Sequence, residues 1–312
     1  MPVGGTFGAM GILRLSHVEI RVPDLELATA YYAEVVGLIE TDREDERVFF
    51  KGWDEHQHHS LVLRYAPTYG LESMGFKLES EADLGIFQDR LEGAGTTTKR
   101  FSAGELGPGS GHTVRFEAPS GHTTDLVYGM AQVGNLLPLT NPPPEPQGLV
   151  GIHPPRIDHI FLMCEDVDGI TSFFQDVLNF RLTEQIMGDD GYQLCTFLER
   201  THTPHDVAFI TGPNGALHHF AYWLDDWNQL RNAADICAYH GVRIDSGPTR
   251  HGATRGHGLY FFDPAGNRNE VYTGGYWADP DREPVTWTEA EMGRAVFYYE
   301  GVVNQRFLTE HS

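Results

Sequence analysis

Three residues carry the chemistry in this chain: His159, His219 and Glu270. Two neutral imidazoles and one carboxylate on one face of a divalent ion leave its other positions open, the arrangement typical of non-haem Fe(II) oxygen chemistry. Zinc accepts the same set, as in His₂Glu hydrolases. The three are singled out by an internal repeat. The corresponding places earlier in the chain hold His17, Met74 and Asp125, and Glu270 follows His219 at the interval by which Asp125 follows Met74. The ligand set is therefore complete only after residue 150. Satisfied polar groups at strand ends are the bland alternative, but His, His and Glu falling by chance on three repeat-equivalent points is improbable. With apolar Met74 in the middle place, His17 and Asp125 read as structural remnants of a duplicated site.

The elements that must position these residues are written four times. Phe116-Glu117-Ala118-Pro119-Ser120-Gly121 followed by Asp125 matches Phe261-Phe262-Asp263-Pro264-Ala265-Gly266 followed by Glu270. Upstream, Leu15 to Ile20 with Pro23-Asp24 answers Ile157 to Leu162 with Asp166-Val167-Asp168. Each half divides again. Helical periodicity runs over Ala28 to Val35, stopping at Gly37, and over Ile170 to Val177, with Asp168 as its cap. A third helix starts at Ser80-x-x-Asp83 and carries Leu84, Phe87 and Leu91. A fourth runs from Asp225-Asp226 through Leu230, Ala234 and Cys237 to Gly241. Short β-rich runs follow, such as Tyr192 to Leu198, Val207 to Ile210 and Gly258 to Phe262.

The pattern predicts an α+β protein of four βαβββ modules in two domains, paired modules enclosing a cleft. Residues 1–11 form an N-terminal extension, 12–140 a metal-free first domain and 153–312 the domain with the ligands. Between them, residues 141–152 are a linker, because Asn141-Pro142-Pro143-Pro144-Glu145-Pro146 continues neither helix nor central strand. Thr286 to Phe307, with Met292, Val296, Tyr299 and Val303, reads as one C-terminal helix outside the repeats.

The whole chain bounds the function. Its 312 residues carry a formal net charge of −22, which repels phosphate backbones and anionic membranes and argues against nucleic acid as a partner. Hydrophobic residues make up 40 % and charged ones 21 %, so the chain folds. Met1 to Met10 have neither the basic nor the apolar region of an export signal, and no apolar run reaches the ~20 residues of a membrane span. Cys164, Cys195 and Cys237 read as reduced core thiols, and the expected location is cytoplasmic. His56, His58 and His59 read as a solvated loop, and Glu44-Asp45-Glu46 as a charged turn.

Several blocks carry a resemblance: His205 to Ile210, Leu217-His218-His219-Phe220, Gly247-Pro248-Thr249-Arg250-His251-Gly252, Tyr260 to Glu270, and Pro284 to Thr288. Together they resemble the extradiol ring-cleaving dioxygenases of the catechol 2,3-dioxygenase family, within the vicinal oxygen chelate superfamily. The likeness covers nearly the whole chain except Met1 to Gly11. It implies domains built as paired-module open barrels, an Fe(II) cofactor, with Mn(II) an acceptable substitute, held by His159, His219 and Glu270. It also implies His205 as acid–base, and His251 and Tyr260 as hydrogen-bond donors to substrate oxygens. The implied reaction opens a catechol beside its diol with O₂ to a 2-hydroxymuconic semialdehyde-type product.

Of the pair His218-His219, neighbouring strand residues point to opposite faces; repeat register and resemblance select His219 and send His218 to the other face. The family assembles as homotetramers, for which Phe297, Tyr298, Tyr299 and Phe307 could supply an interface. A glyoxalase-like isomerase using Zn or Ni and a non-catalytic small-molecule binder of the same fold are the rival readings.

Overall fold

The computed structural model describes residues 11–312; all of the expected N-terminal extension but Gly11 lies outside them. The first half runs β1 (Ile12–Val22), α1 (Leu25–Ala30), β2 (Ile39–Arg43), β3 (Arg47–Lys51) and β4 (Leu61–Tyr65). It repeats as β5 (Gly70–Leu78), α2 (Glu81–Gly93), β6 (Thr98–Phe101), β7 (His112–Glu117) and β8 (Thr123–Tyr128). The second half runs β9 (Arg156–Cys164), α3 (Val167–Asp176), β10 (Arg181–Met187), β11 (Gln193–Glu199) and β12 (Val207–Thr211). Its second module is β13 (Ala216–Trp223), α4 (Trp227–Tyr239), β14 (Ile244–Arg250), β15 (Gly256–Phe262) and β16 (Arg268–Gly274). Four βαβββ modules are thus present, as the repeat predicts.

Each half is one curved sheet. The first has the order β2-β3-β4-β1-β5-β8-β7-β6. The second reads β14-β15-β16-β13-β9-β12-β11-β10, with β17 (Val285–Thr288) added parallel to β10 at its edge. In both, the opening strands of the two modules pair antiparallel at the centre, β1 with β5 and β9 with β13. The helices cover the outer faces, so inward-pointing strand residues are left to line a cleft.

Helix starts follow local chemistry. The Asp24 carboxylate accepts from the Leu27 amide, and Ser80 with Asp83 forms a capping box. The Asp226 carboxylate accepts from the amides of Asn228 and Gln229. For α3 the cap is Asp166, whose carboxylate accepts from the Gly169 amide, and not Asp168, which lies inside the first turn. After α1 the chain widens into a π-helical turn (Tyr31–Val36) and stops at Gly37, whose φ of 80° a side chain would strain. One apolar cluster runs through both halves: Phe76 meets Phe174 and Phe180 at ring distances of 6.2 and 5.2 Å. The hydroxyl of Tyr32 donates to Asp263 at a second contact between the halves, at 3.1 Å.

Three expectations need correction. The single C-terminal helix is instead β17, a 3₁₀ turn (Glu289–Glu291), α5 (Met292–Val296) and α6 (Gln305–Thr309). Gly293 and Gly301 explain the break: Gly293 packs against the Gly301 carbonyl, and Gly301 has a φ of 68°. His58 and His59 are buried, not solvated; only His56 is exposed. Phe297 and Phe307 are buried against Tyr260, so of the four aromatics expected at an interface only Tyr298 and Tyr299 face outward. All three cysteines are buried and unpaired. Among the described residues no helix is long and apolar enough to cross a membrane.

Candidate metal centre

His159, His219 and Glu270 sit on three neighbouring strands, β9, β13 and β16. The register sets Ala221 opposite Glu270 and His219 opposite Phe161, which turns all three side chains into one cleft. Their ligand atoms lie within 4.8 Å of one another. The Nε2 atoms of His159 and His219 are 3.1 and 3.0 Å from the same carboxylate oxygen of Glu270. All three residues are buried. His219 Nε2 and Glu270 Oε1 have no hydrogen-bond partner, an arrangement that is costly unless a cation takes the lone pairs. The donor set fits a divalent cation.

Burial and partners set the charge of each group. Burial works against the Glu270 carboxylate, but three facing imidazoles hold its pKa well below the usual carboxylate range. Burial pulls His219 down to about 4. It pulls on His159 too, yet hydrogen bonds to Asp158 and Glu270 outweigh it and hold that imidazole up at about 9. Asp158 accepts from His159 Nδ1 at 2.9 Å and so leaves Nε2 for the cation, the carboxylate–histidine pairing common behind metal ligands. Gly258 is required here: a Cβ on it would stand 2.3 Å from Glu270 Oε1 and 2.8 Å from His251 Nε2.

His205, His251 and Tyr260 join the same cleft. The His205 ring is 4.0 Å from that of His159, and its buried Nδ1 has no partner. His251 donates from Nδ1 to the Val296 carbonyl at 2.5 Å, which leaves Nε2 to accept the Tyr260 hydroxyl at 3.1 Å. Together with the ligands they line a cavity of about 590 Å³, its mouth included. Apart from His218, Thr254 and Tyr272 its remaining wall is apolar, built from Phe161, Ile186, Phe197, Ile210, Met292 and Leu308 among others, and among the described residues no Lys or Arg lines it.

Sequence reasoning missed Tyr272 and misplaced His218. Tyr272 lines the cavity, edge-on to His159 at 5.2 Å and parallel to His251 at 6.5 Å; its place two residues beyond Glu270 on one strand was the available signal. His218 does not face away. A β-bulge between Leu217 and His219 turns both imidazoles into the cavity.

The first half holds a modified copy of this centre. Asp125 stands opposite Gly75 as Glu270 stands opposite Ala221, and Arg115 pairs with Asp125 as Tyr260 pairs with Glu270. Glu19 faces Ser73 as Phe161 faces His219. The counterpart of His219 is therefore Ser73, not Met74. Met74 matches Phe220, and both lie in the helix-side core, because adjacent strand residues alternate faces. His59 is the counterpart of His205, since the amide of Val18 bonds the Ser60 carbonyl as that of Ile160 bonds Asp206.

Comparison with known proteins agrees with this geometry. Residues 156–271 match the glyoxalase/bleomycin resistance protein/dioxygenase superfamily, and residues 71–131 the catechol 2,3-dioxygenase-like N-terminal domain. A metapyrocatechase of Pseudomonas sp. (strain CF600) is 42 % identical over 96 % of this chain and 98 % of its own length. The manganese-dependent 2,3-dihydroxybiphenyl 1,2-dioxygenase of Geobacillus genomosp. 3 is 31 % identical over 92 % and 94 %. Among solved structures, the 2,3-dioxygenase LapB of Pseudomonas sp. KL28 superposes with a TM-score of 0.87 at 41 % identity, covering 89 % of this chain and 98 % of its own. Homoprotocatechuate 2,3-dioxygenase of Brevibacterium fuscum, in complex with 3,4-dihydroxyphenylacetate, superposes at 0.88 with 28 % identity, covering 96 % and 92 %. With its ligand set, paired-module sheets and full-length relatives in agreement, the chain belongs to the extradiol ring-cleaving dioxygenases of the glyoxalase/bleomycin resistance protein/dioxygenase superfamily.

Proposed function

We propose that this protein is a catechol 2,3-dioxygenase that uses Fe(II), with Mn(II) as the alternative ion, held by His159, His219 and Glu270. The observation that carries the reading is the convergence of those three ligand atoms within 4.8 Å at one wall of an apolar cavity. When bound, the cation would supply a Lewis acid that lowers the pKa of a catechol hydroxyl and holds substrate and O₂ together.

The chain's own side chains manage the protons. His205 is held well below its ordinary pKa, by burial first and by the neighbouring His159 second. It therefore meets substrate as a neutral base and takes the proton of a catechol hydroxyl. Tyr260 keeps its phenol proton, since burial beside Glu270 pushes its pKa well up, and can turn its hydroxyl from His251 to a substrate oxygen. His251 is anchored through Nδ1–H on Val296, so its Nε2 carries a lone pair that accepts from a substrate hydroxyl; the donor role that the resemblance implies for it requires the protonated imidazole.

The cavity wall favours catechol or a catechol with an apolar substituent. A carboxylate such as that of 3,4-dihydroxyphenylacetate would be buried with no cationic side chain to pair with, at a cost of several kcal/mol. In this reading residues 12–140 and 153–312 are the two domains, joined by 141–152. The protein works in the cytoplasm as a homotetramer, with exposed Tyr298 and Tyr299 available to the subunit contact.

The test is turnover. Protein loaded anaerobically with Fe(II) or Mn(II) and then mixed with catechol and air should form a yellow ring-opened product. No product with either ion overturns the reading. His205→Phe should keep its metal and slow turnover by roughly 10²–10⁴; turnover at the wild-type rate removes His205 from the chemistry.

A further inference from the structure

The β-bulge in β13 places His218 between a metal ligand and the C-terminal segment. Its Nδ1 lies 2.6 Å from His219 Nδ1, and its Nε2 lies 2.8 Å from the Phe307 carbonyl oxygen on α6. His218 is buried, with its ring 5.1 Å from Phe161 and 4.9 Å from Phe307. The backbone is pinned on both sides. Leu217 pairs with Ser312 in both directions at 2.7 and 2.9 Å, and Arg268 donates to the His218 carbonyl at 3.2 Å.

These contacts determine where each proton sits. A carbonyl oxygen only accepts, so His218 donates to Phe307 from Nε2–H. Neutral His218 then has a bare Nδ1, which can only accept from His219. His219 must carry its proton on Nδ1, and its Nε2 is left as a lone pair beside the Glu270 carboxylate. That lone pair has no hydrogen-bond partner. His219 is thus held in the tautomer and orientation of a metal ligand. His159 reaches the same state through a carboxylate, Asp158, whereas His219 depends on a neutral imidazole tied to α6. In the first half the bulge recurs between Leu71 and Ser73, and the place of His218 is taken by Glu72, which pairs with Arg21.

We propose that His218 is a positioning residue for metal binding: it accepts from His219 Nδ1–H, donates to the Phe307 carbonyl, and so couples the C-terminal segment to one ligand of the cation. This rests on the ligand assignment under Proposed function.

The test reads metal affinity and tautomer rather than turnover. Mn(II) dissociation constants come from the electron paramagnetic resonance signal of the free ion. His218→Phe keeps the ring volume and loses both hydrogen bonds; it should weaken Mn(II) binding by roughly 10–100-fold, as for other partners of metal-bound histidines. His218→Asn keeps an acceptor near the Nδ1 position and should recover most of that loss. An unchanged dissociation constant in His218→Phe, or an Asn variant as weak as the Phe variant, overturns the proposal. If the Phe variant does not fold, histidine-labelled wild-type protein loaded with Zn(II) decides by ¹⁵N resonance. His218 must appear as the Nε2–H form and His219 as the Nδ1–H form; His218 protonated on Nδ1 overturns the proposal while leaving the dioxygenase reading intact. Wild-type protein that takes up no metal ends both, and is recognised before any variant is made.

Discussion

In the second half Phe161, His219, Tyr260 and Glu270 stand where the first half has Glu19, Ser73, Arg115 and Asp125. Both halves therefore bury a carboxylate at the same point of the same strand, and both must neutralise it. The first half does so with a side chain of its own: Arg115 donates twice to Asp125, at 2.7 Å each, with the carboxylate only 1 % exposed. The second half places an uncharged tyrosine there and leaves the carboxylate facing imidazole nitrogens. One duplicated backbone thus hosts either a fixed guanidinium or an exchangeable cation. The choice turns on three inward side chains. His17 and His59 remain in the first half, but without the imidazole at position 73 and with Arg115 present they form a closed polar cluster.

The largest effect expected from breaking this contrast is in His219→Ser, which gives the second half the first half's residue. The variant should retain no metal after gel filtration and lose ring cleavage by roughly 10³-fold or more; metal content equal to wild type would remove His219 from the ligand set. The converse change, Arg115→Ala, leaves Asp125 buried without its cation and should cost roughly 3 kcal/mol in urea unfolding. Arg115→Lys should recover only part, since an ammonium cannot make the paired bonds of a guanidinium. Unaltered stability in Arg115→Ala would mean that the Arg115–Asp125 pair does not stabilise the first half.

An effect of similar size is one of pH. Burial pushes His17 down to about 4, and His122 as well, while an unfolded histidine titrates near 6.5. Between these values the unfolded chain binds more protons, so stability is full above pH 6.5 and is lost as pH falls to 4, by about 3 kcal/mol for each such histidine. His17→Leu should flatten that slope by one histidine's share. Identical slopes for wild type and variant would show that His17 is not held neutral.

Much of this was legible in the chain because it is written as repetition. Four helix caps, four helical stripes and the F-x-x-P-x-G turns recur in one order, and physical periodicity converts them directly into βαβββ modules. The triad was legible because its members occupy repeat-equivalent strand positions. What was misread lay within one residue of what was read correctly. Equal spacing matched Met74 to His219, yet β5 and β13 are registered so that Ser73 is the partner. Alternation sent His218 outward, yet a bulge, invisible in residue types, inserts one residue and re-aims it. The C-terminal stripe satisfied helical spacing but contains Gly293 and Gly301 at a point where two backbone segments touch.

By itself the sequence determined the module count, the boundaries of the four module helices to within a turn, the identities of the three side chains that converge at the candidate metal centre and the acidic character of the chain. These depend on local rules: capping, periodicity and the chemistry of residue types. Only the tertiary structure decided the register of β5 and β13, the direction in which burial and partners shift His159, His205 and His219, the guanidinium that fills the first half and the contacts from His219 through His218 to α6. Each of those depends on which atoms from distant segments come within about 3 Å in a medium that water does not reach, and spacing along a chain carries no record of that distance.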